Sequence, residues 1–440
     1  MTRKRRKAKK NENSFSGDGE VVGVPGDIAR MSRKELVAAL KHFDLPTSGD
    51  VASLAARLKE RIDSGLGVWV EGGTVQWAES SFHSSSGPEH FIRDECSPLE
   101  YFSLLWTDDI WEKILSSSNA YVDKFAGRKS AKRKQKDSPL ITMGELKSYM
   151  GIRLHMGVFG AGRKRDFWTE AFLDGKDVID KYCDVFSREK WEHLSRQIHF
   201  ETVESADADD SLWKVRGLCD ALNETFRRNW KPFQHLSIDE ETIPTKARIK
   251  IKQYNPMKPS KWGIKVFALV DSQRYLYAFN LYAGADSKYG RGGSRLSRTS
   301  VKAWDGAEED SPTKVYEHTI QLVKTLPPNI PYFLYVDNWY TSLALLRNLR
   351  DKNIRCSGTF KKLSGGLPSK VKEAKLKEKG EVFSMTLGSK FGAVKWMDTK
   401  EVLAATNWCD PSEMTKGKPL ESSIFFVFFF LKIFLILASQ

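Results

Sequence analysis

From His235 onward the hydrophobic pattern changes, and this change constrains the fold more than any other feature of the chain. LSID (236–239), WGIKVFALVDS (262–272) and YLYAFNLYAG (275–284) are short runs rich in β-branched and aromatic residues, the composition of strands. A polar loop at 294–312 follows, and then a helix near Val315–Thr325. Pro331 leads into YFLYV, an apolar strand that ends at Asp337. The helix SLALLRNLRDK and the strand IRCSGTF come next. Three strands, helix, strand, helix, strand is the order of a mixed α/β sheet with flanking helices.

Two carboxylates stand out against that pattern. Asp239 sits in SIDEE at the first strand, and Asp337 directly follows the apolar strand in YVDNWYTS. Taken singly, each could be a turn or cap residue. A carboxylate on a buried sheet is costly unless it is paired or bound to a metal. If the two strands lie side by side, the acids meet, repel and raise one pKa unless divalent cations sit between them. Oxygen ligands with no nearby His or Cys favour Mg²⁺ or Mn²⁺ over zinc. A pair of such ions suits in-line phosphoryl transfer.

The charge is local. The chain has 440 residues and a formal net charge of +14. MTRKRRKAKK at the start and RKSAKRKQK at 128–136 hold nearly all of that excess, the pattern of nuclear localisation or nucleic-acid contact. A third basic stretch, 246–265, lies within a segment that reads as folded and interleaves its cations with Ile249, Ile251, Tyr254, Trp262 and Ile264. Arg248, Lys250, Lys252, Lys258, Lys261 and Lys265 are therefore candidate contacts to DNA phosphates. The five cysteines are scattered, which argues against a disulfide framework or zinc module.

Residues 1–26 read as a disordered basic tail, and 27–64 as two short helices. Ser32 and Glu35 form a capping box, and Pro46, Ser48 and Gly49 break the pair. MSRKELVAALKHFDLPTSGDVASLAARLKERI resembles a SAP module, a small helical DNA-binding unit. That resemblance implies phosphate contacts from Lys34, Lys41, Arg57, Lys59 and Arg61. Residues 65–97 read as a Gly/Ser-rich linker, and 98–234 as a mainly helical region for DNA binding or dimerisation.

The stretch LWKVRGLCDALNETFRRNWKPFQHLSIDEETIPTKARIKIKQYNPMKPSKWGIKVFALVDS closely resembles the core of piggyBac-type transposases and their domesticated relatives. The matching motifs are K-[VI]-R-x-L at Lys214–Arg216, S-[IL]-D-E at Ser237–Glu240, and K-x-Y-x-P-x-K-P-x-K-x-G-[IF]-K at Lys252–Lys265. D-N-[FWY]-[YF]-[TS]-S follows at Asp337, and SREKWEHLSRQIHF is similar to a further family segment upstream. The resemblance implies an RNase H-like core over 235–421 and cut-and-paste chemistry at TTAA-flanked double-stranded DNA ends. It also implies a nuclear protein, a homodimer, and a triad of Asp residues holding two metal ions. Asp239 and Asp337 take the first two places.

The family's third Asp lies in a G-G-V-D-x-x-D-Q segment, and these 440 residues contain none. Asp398 and Asp410 come too early for that role. Strand alternation points Glu240 away from Asp239, and Glu241 shares its face two residues on. The expectation is a DNA-binding protein without strand transfer. The alternative is a non-catalytic chromatin protein acting mainly through its SAP-like module. The apolar tail 422–440 carries Lys432 and is too short for a spanning helix, so it reads as an appended segment and no membrane is expected.

Overall fold

The computed structural model describes residues 28, 31–42, 47–63, 69–71, 74–77, 81–89, 96–125, 139–159, 164–168, 182–207, 210–245, 247–258, 260–283, 314–362 and 367–411. The basic runs at 3–10 and 128–136, Lys246 and the tail 422–440 lie outside them.

The first two helices, α1 (Arg33–His42) and α2 (Val51–Asp63), form a hairpin. Leu36, Leu40, Leu54 and Leu58 make its core, each fully buried. The backbone N–H of Ser32 donates to Glu35 Oε2 at 2.7 Å and that of Glu35 to Ser32 Oγ at 3.4 Å, the reciprocal pair of a capping box. Lys34, Lys41 and Lys59 are exposed. Arg57 corrects the expectation of a phosphate contact. It is buried, and its Nη1 donates to the carbonyl of Ser48 at 3.1 Å, so it braces the turn between the helices.

Residues 65–97, expected as a linker, include strand β1 (Trp69–Glu71) and the two-residue β2 (Gly87–Pro88). Then come α3 (Pro98–Leu105), α4 (Asp108–Phe125), α5 (Met143–Phe159), α6 (Tyr182–Val185), α7 (Arg188–Gln197) and α8 (Trp213–Arg228). The motif residues here have local physical roles. Ser187 caps α7 by accepting from the N–H of Lys190 at 3.2 Å, and Trp191 in the next turn is buried. In the KVR segment, Arg216 clamps the buried Asp210 through two hydrogen bonds of 2.5 and 2.7 Å.

The strands that follow are β3 (Trp230–Lys231), β4 (His235–Pro244), β5 (Lys252–Tyr254), β6 (Trp262–Asp271) and β7 (Leu276–Leu281). Next are α9 (Lys314–Val323), β8 (Phe333–Val336), α10 (Leu343–Asp351), β9 (Arg355–Thr359), α11 (Ser369–Glu373), β10 (Val382–Leu387), β11 (Phe391–Met397) and β12 (Glu401–Thr406). The central run of the large sheet is β7–β6–β4–β8–β9, antiparallel across its first three strands and parallel across the last three. This is the RNase H-like arrangement. Beyond β9 the sheet continues antiparallel through β12, β11 and β10 to β1 at its edge.

The sheet is covered on both faces. Along β6, Ile264, Val266, Ala268 and Val270 join the core beneath the helical region, with Trp191, Leu218 and Leu222. Phe267 and Leu269 point to the opposite face, where α9 and α10 supply Leu322, Leu345 and Leu346. Gly263 is required at the start of this strand, because a Cβ there would come within 2.5 Å of Thr242 Cγ2 and press on the Ile243 carbonyl.

Candidate active site

β4 and β8 run parallel, with Ile238 opposite Val336. The next step of that register sets Asp239 beside Asp337. β8 ends at Val336 while β4 continues to Pro244, so β4 runs on past its parallel partner just where the two acids lie.

The DNWYTS segment is built to hold Asp337 at the strand end. Asp337 Oδ1 accepts from the N–H of Trp339 at 2.7 Å, an Asx turn. Its carbonyl accepts from the N–H groups of Tyr340 and Thr341, each at 3.2 Å, and from Thr341 Oγ1 at 2.7 Å. Ser342 then caps α10 by accepting from the N–H of Leu345 at 3.1 Å. Gly358 on β9 leaves room for this turn; a Cβ there would meet Val336 Cγ2 at 2.7 Å and the Thr341 hydroxyl.

Asp239 is half-buried, and its Oδ1 accepts from the N–H of Glu240 at 2.7 Å. Burial raises its pKa to about 6, and the neighbouring charges of Glu240 and Asp337 add to the rise against that N–H. Glu240 follows strand alternation: it stands opposite Phe267 and Asp239 opposite Ala268, on the two faces of the sheet, and its charge still adds to the rise in the Asp239 pKa. Tyr340 Oη donates to Glu240 Oε2 at 3.1 Å, and burial together with that carboxylate pushes the phenol far above its usual range. Alternation alone hides Glu240; the Glu of SIDEE read together with the Tyr of DNWYTS was the available signal.

The basic stretch divides into two sets. Lys258 Nζ donates to the Glu240 carbonyl at 3.1 Å, and Lys265 Nζ lies 3.8 Å from the centroid of the Trp339 ring. Burial lowers the Lys265 pKa, opposed by the charges of Glu240, Asp239 and Asp337. Lys252 lies over Trp262, while Arg248, Lys250 and Lys261 are exposed. Asp398 pairs with Lys379 on the far antiparallel part of the sheet, away from the acids.

Among the described residues no group of three or more His, Cys, Asp or Glu side chains converges on a common metal position. Two adjacent carboxylates with oxygen donors only, one with a raised proton affinity, still fit a hard divalent cation such as Mg²⁺ or Mn²⁺ in donor chemistry.

Residues 97–419 match the family described as Transposase IS4. PiggyBac transposable element-derived protein 2 of Homo sapiens is 24% identical over 341 residues, covering 76% of this chain and 50% of the relative. PiggyBac transposable element-derived protein 3 of Homo sapiens is 24% identical over 327 residues, covering 73% and 49%. The chain thus spans about half the length of the curated relatives it matches. A cryo-EM structure of the piggyBac transposase synaptic complex with hairpin DNA superposes with a TM-score of 0.60 at 21% identity, over 76% of this chain and 65% of that one. With motifs, sheet order and family match in agreement, the chain belongs to the Transposase IS4 family, as a piggyBac-type protein.

Proposed function

We propose that the protein binds double-stranded DNA ends and carries a two-carboxylate centre of the kind that serves cut-and-paste phosphoryl transfer. The observation that carries this reading is the parallel pairing of β4 with β8, whose last pair, Ile238 opposite Val336, immediately precedes Asp239 and Asp337. The structural neighbour is a transposase in complex with DNA, which supports the DNA half of the reading.

Asp239 and Asp337 would hold Mg²⁺ or Mn²⁺. Such a cation supplies Lewis-acid stabilisation of charge on a phosphoryl group. Glu240, fixed by Tyr340, adds negative charge beside Asp239 and raises its affinity for a proton or cation. Lys258 and Lys265 bring positive charge to the same corner for a phosphate, and Arg248, Lys250 and Lys261 offer an exposed track for the backbone. These 440 residues hold two of the family's three acids, so this polypeptide by itself is expected to bind TTAA-flanked ends without cutting them, since losing a ligand costs several kcal/mol of barrier. The basic runs fit a nuclear protein, and family resemblance fits a homodimer.

Anisotropy with TTAA-flanked duplex, followed by an excision assay in Mg²⁺, tests both halves. Binding without excision is expected. Absence of binding would sink the DNA reading, and robust excision would refute the loss of strand transfer.

A second reading draws on the helical hairpin, which has its own leucine core and exposed Lys34, Lys41 and Lys59. In that reading a SAP-like module does most of the DNA binding. If removing residues 1–64 abolishes binding while Lys250→Glu and Lys261→Glu leave it intact, this second reading replaces the first.

A further inference from the structure

The hairpin formed by β5 and β6 carries two large rings that the carboxylate chemistry does not use. Tyr254 and Trp262 are directly paired across the strands, with centroids 4.6 Å apart and planes at 43°. Both are about half exposed, at 53% and 51%, and Met257 at the hairpin tip is 90% exposed. Paired aromatics left this open on an outer strand indicate a binding surface rather than core. Within the hairpin the N–H of Asn255 donates to the Lys261 carbonyl at 2.8 Å and that of Met257 to Asn255 Oδ1 at 3.1 Å.

Three further observations say what would lie there. Lys252 Nζ is 5.3 Å from the Trp262 centroid, and Lys250, Lys261 and Arg248 are exposed nearby in sequence, so the rings are set among cations. An apolar protein partner would have no use for that charge, whereas a nucleobase flanked by phosphates uses both parts. The hairpin is also tied to the carboxylate corner through Lys258 and the Glu240 carbonyl. Finally, Ala268 lies opposite Asp239 and Trp262 is six residues along the same strand, so the rings and the acid are separated by roughly 20 Å, about six base steps of a DNA strand.

We propose that Tyr254 and Trp262 form a stacking platform for an unpaired base of a DNA strand whose phosphates approach Asp239 and Asp337. The inference rests on the DNA-binding reading and adds to it a preference for DNA with an unpaired flank. Stacking does not depend on base identity, so the platform would recognise strand separation rather than sequence.

The test compares the full chain on a blunt duplex and on the same duplex with a six-nucleotide unpaired flank. The parent is expected to bind the flanked DNA more tightly. Trp262→Ala and Tyr254→Ala should each lower affinity for the flanked DNA roughly tenfold and leave blunt binding within about twofold, while Trp262→Phe keeps most of the preference. Abasic sites in the flank should reproduce the loss with the protein unchanged, which separates stacking from misfolding. Equal losses on both DNAs, or full affinity for the abasic flank, would overturn the platform while leaving DNA binding intact. Failure of the parent to bind blunt duplex would remove the DNA reading and the platform with it.

Discussion

Two charged centres sit in the same sheet and have been resolved in opposite ways. On β11, Lys395 is 2% exposed yet fully provided for. Its ammonium donates to the carbonyls of Lys372 and Ala374 at 3.2 and 2.5 Å, and lies 2.9 Å from Glu401 Oε2. Three donors meet three acceptors, two of them carbonyls at the C-terminal end of α11. At the end of β8, by contrast, the charges of Glu240 and Asp337 both act against that of Asp239. Lys258 gives its hydrogen bond to a main-chain carbonyl and Lys265 lies over a ring. The first centre is closed and serves the fold. The second keeps unfavourable charge that the fold alone does not need, and a raised pKa on Asp239 is the mark of it.

The comparison can be broken by substitution, beginning with the largest effect. Lys395→Ala removes a buried charge from Glu401 and two carbonyls, and should cost about 3–5 kcal/mol in urea unfolding without altering cation binding. A small loss would mean that the centre is not the closed structural pair described.

Asp239→Asn should do the reverse. The carboxyl titrates near 6 in the fold against an ordinary 3.8, so the native state holds the proton more tightly than the unfolded chain. Its cost is absent at low pH, grows as pH rises from about 4 through 6, and is complete above that. Partial exposure reduces the full linkage value, so the variant should be about 1–2 kcal/mol more stable than the parent at pH 8 without divalent cations, with no difference at pH 3.5. A destabilised variant at pH 8 would place Asp239 in the structural class with Lys395.

Two smaller effects bear on how the Asp337 turn is held. Gly358→Ala forces a methyl against Val336 and Thr341 and should cost about 1–3 kcal/mol in thermal unfolding. Ser342→Ala removes the α10 cap and should cost about 1 kcal/mol. Effects near zero for both would show that the turn is held by something other than this packing and cap.

The carboxylate corner was legible because Asp239 and Asp337 interrupt apolar strands, and the parallel pairing then brings them together. The three-strand, helix, strand, helix, strand order was legible for the same reason, since hydrophobic period reports burial directly. Glu240 stands on the opposite face from Asp239, as alternation requires, and its contact with Tyr340 emerges only once the turn after β8 is set against β4. Arg57 looked like a surface cation on a short helix, and only the turn that brings Ser48 to it shows otherwise. Strand β1 was hidden in a segment rich in Gly and Ser because its partner, β10, lies more than three hundred residues away. No local pattern carries such a pairing.

The central claim is that Asp239 and Asp337 act as one cation-binding unit, and Mn²⁺ titration followed by electron paramagnetic resonance tests it most directly. The parent chain and Lys395→Ala should both take up Mn²⁺ at pH 7.5, weakly but saturably, and Asp239→Asn and Asp337→Asn should each abolish the uptake. Uptake by either Asn variant equal to that of the parent would contradict the claim.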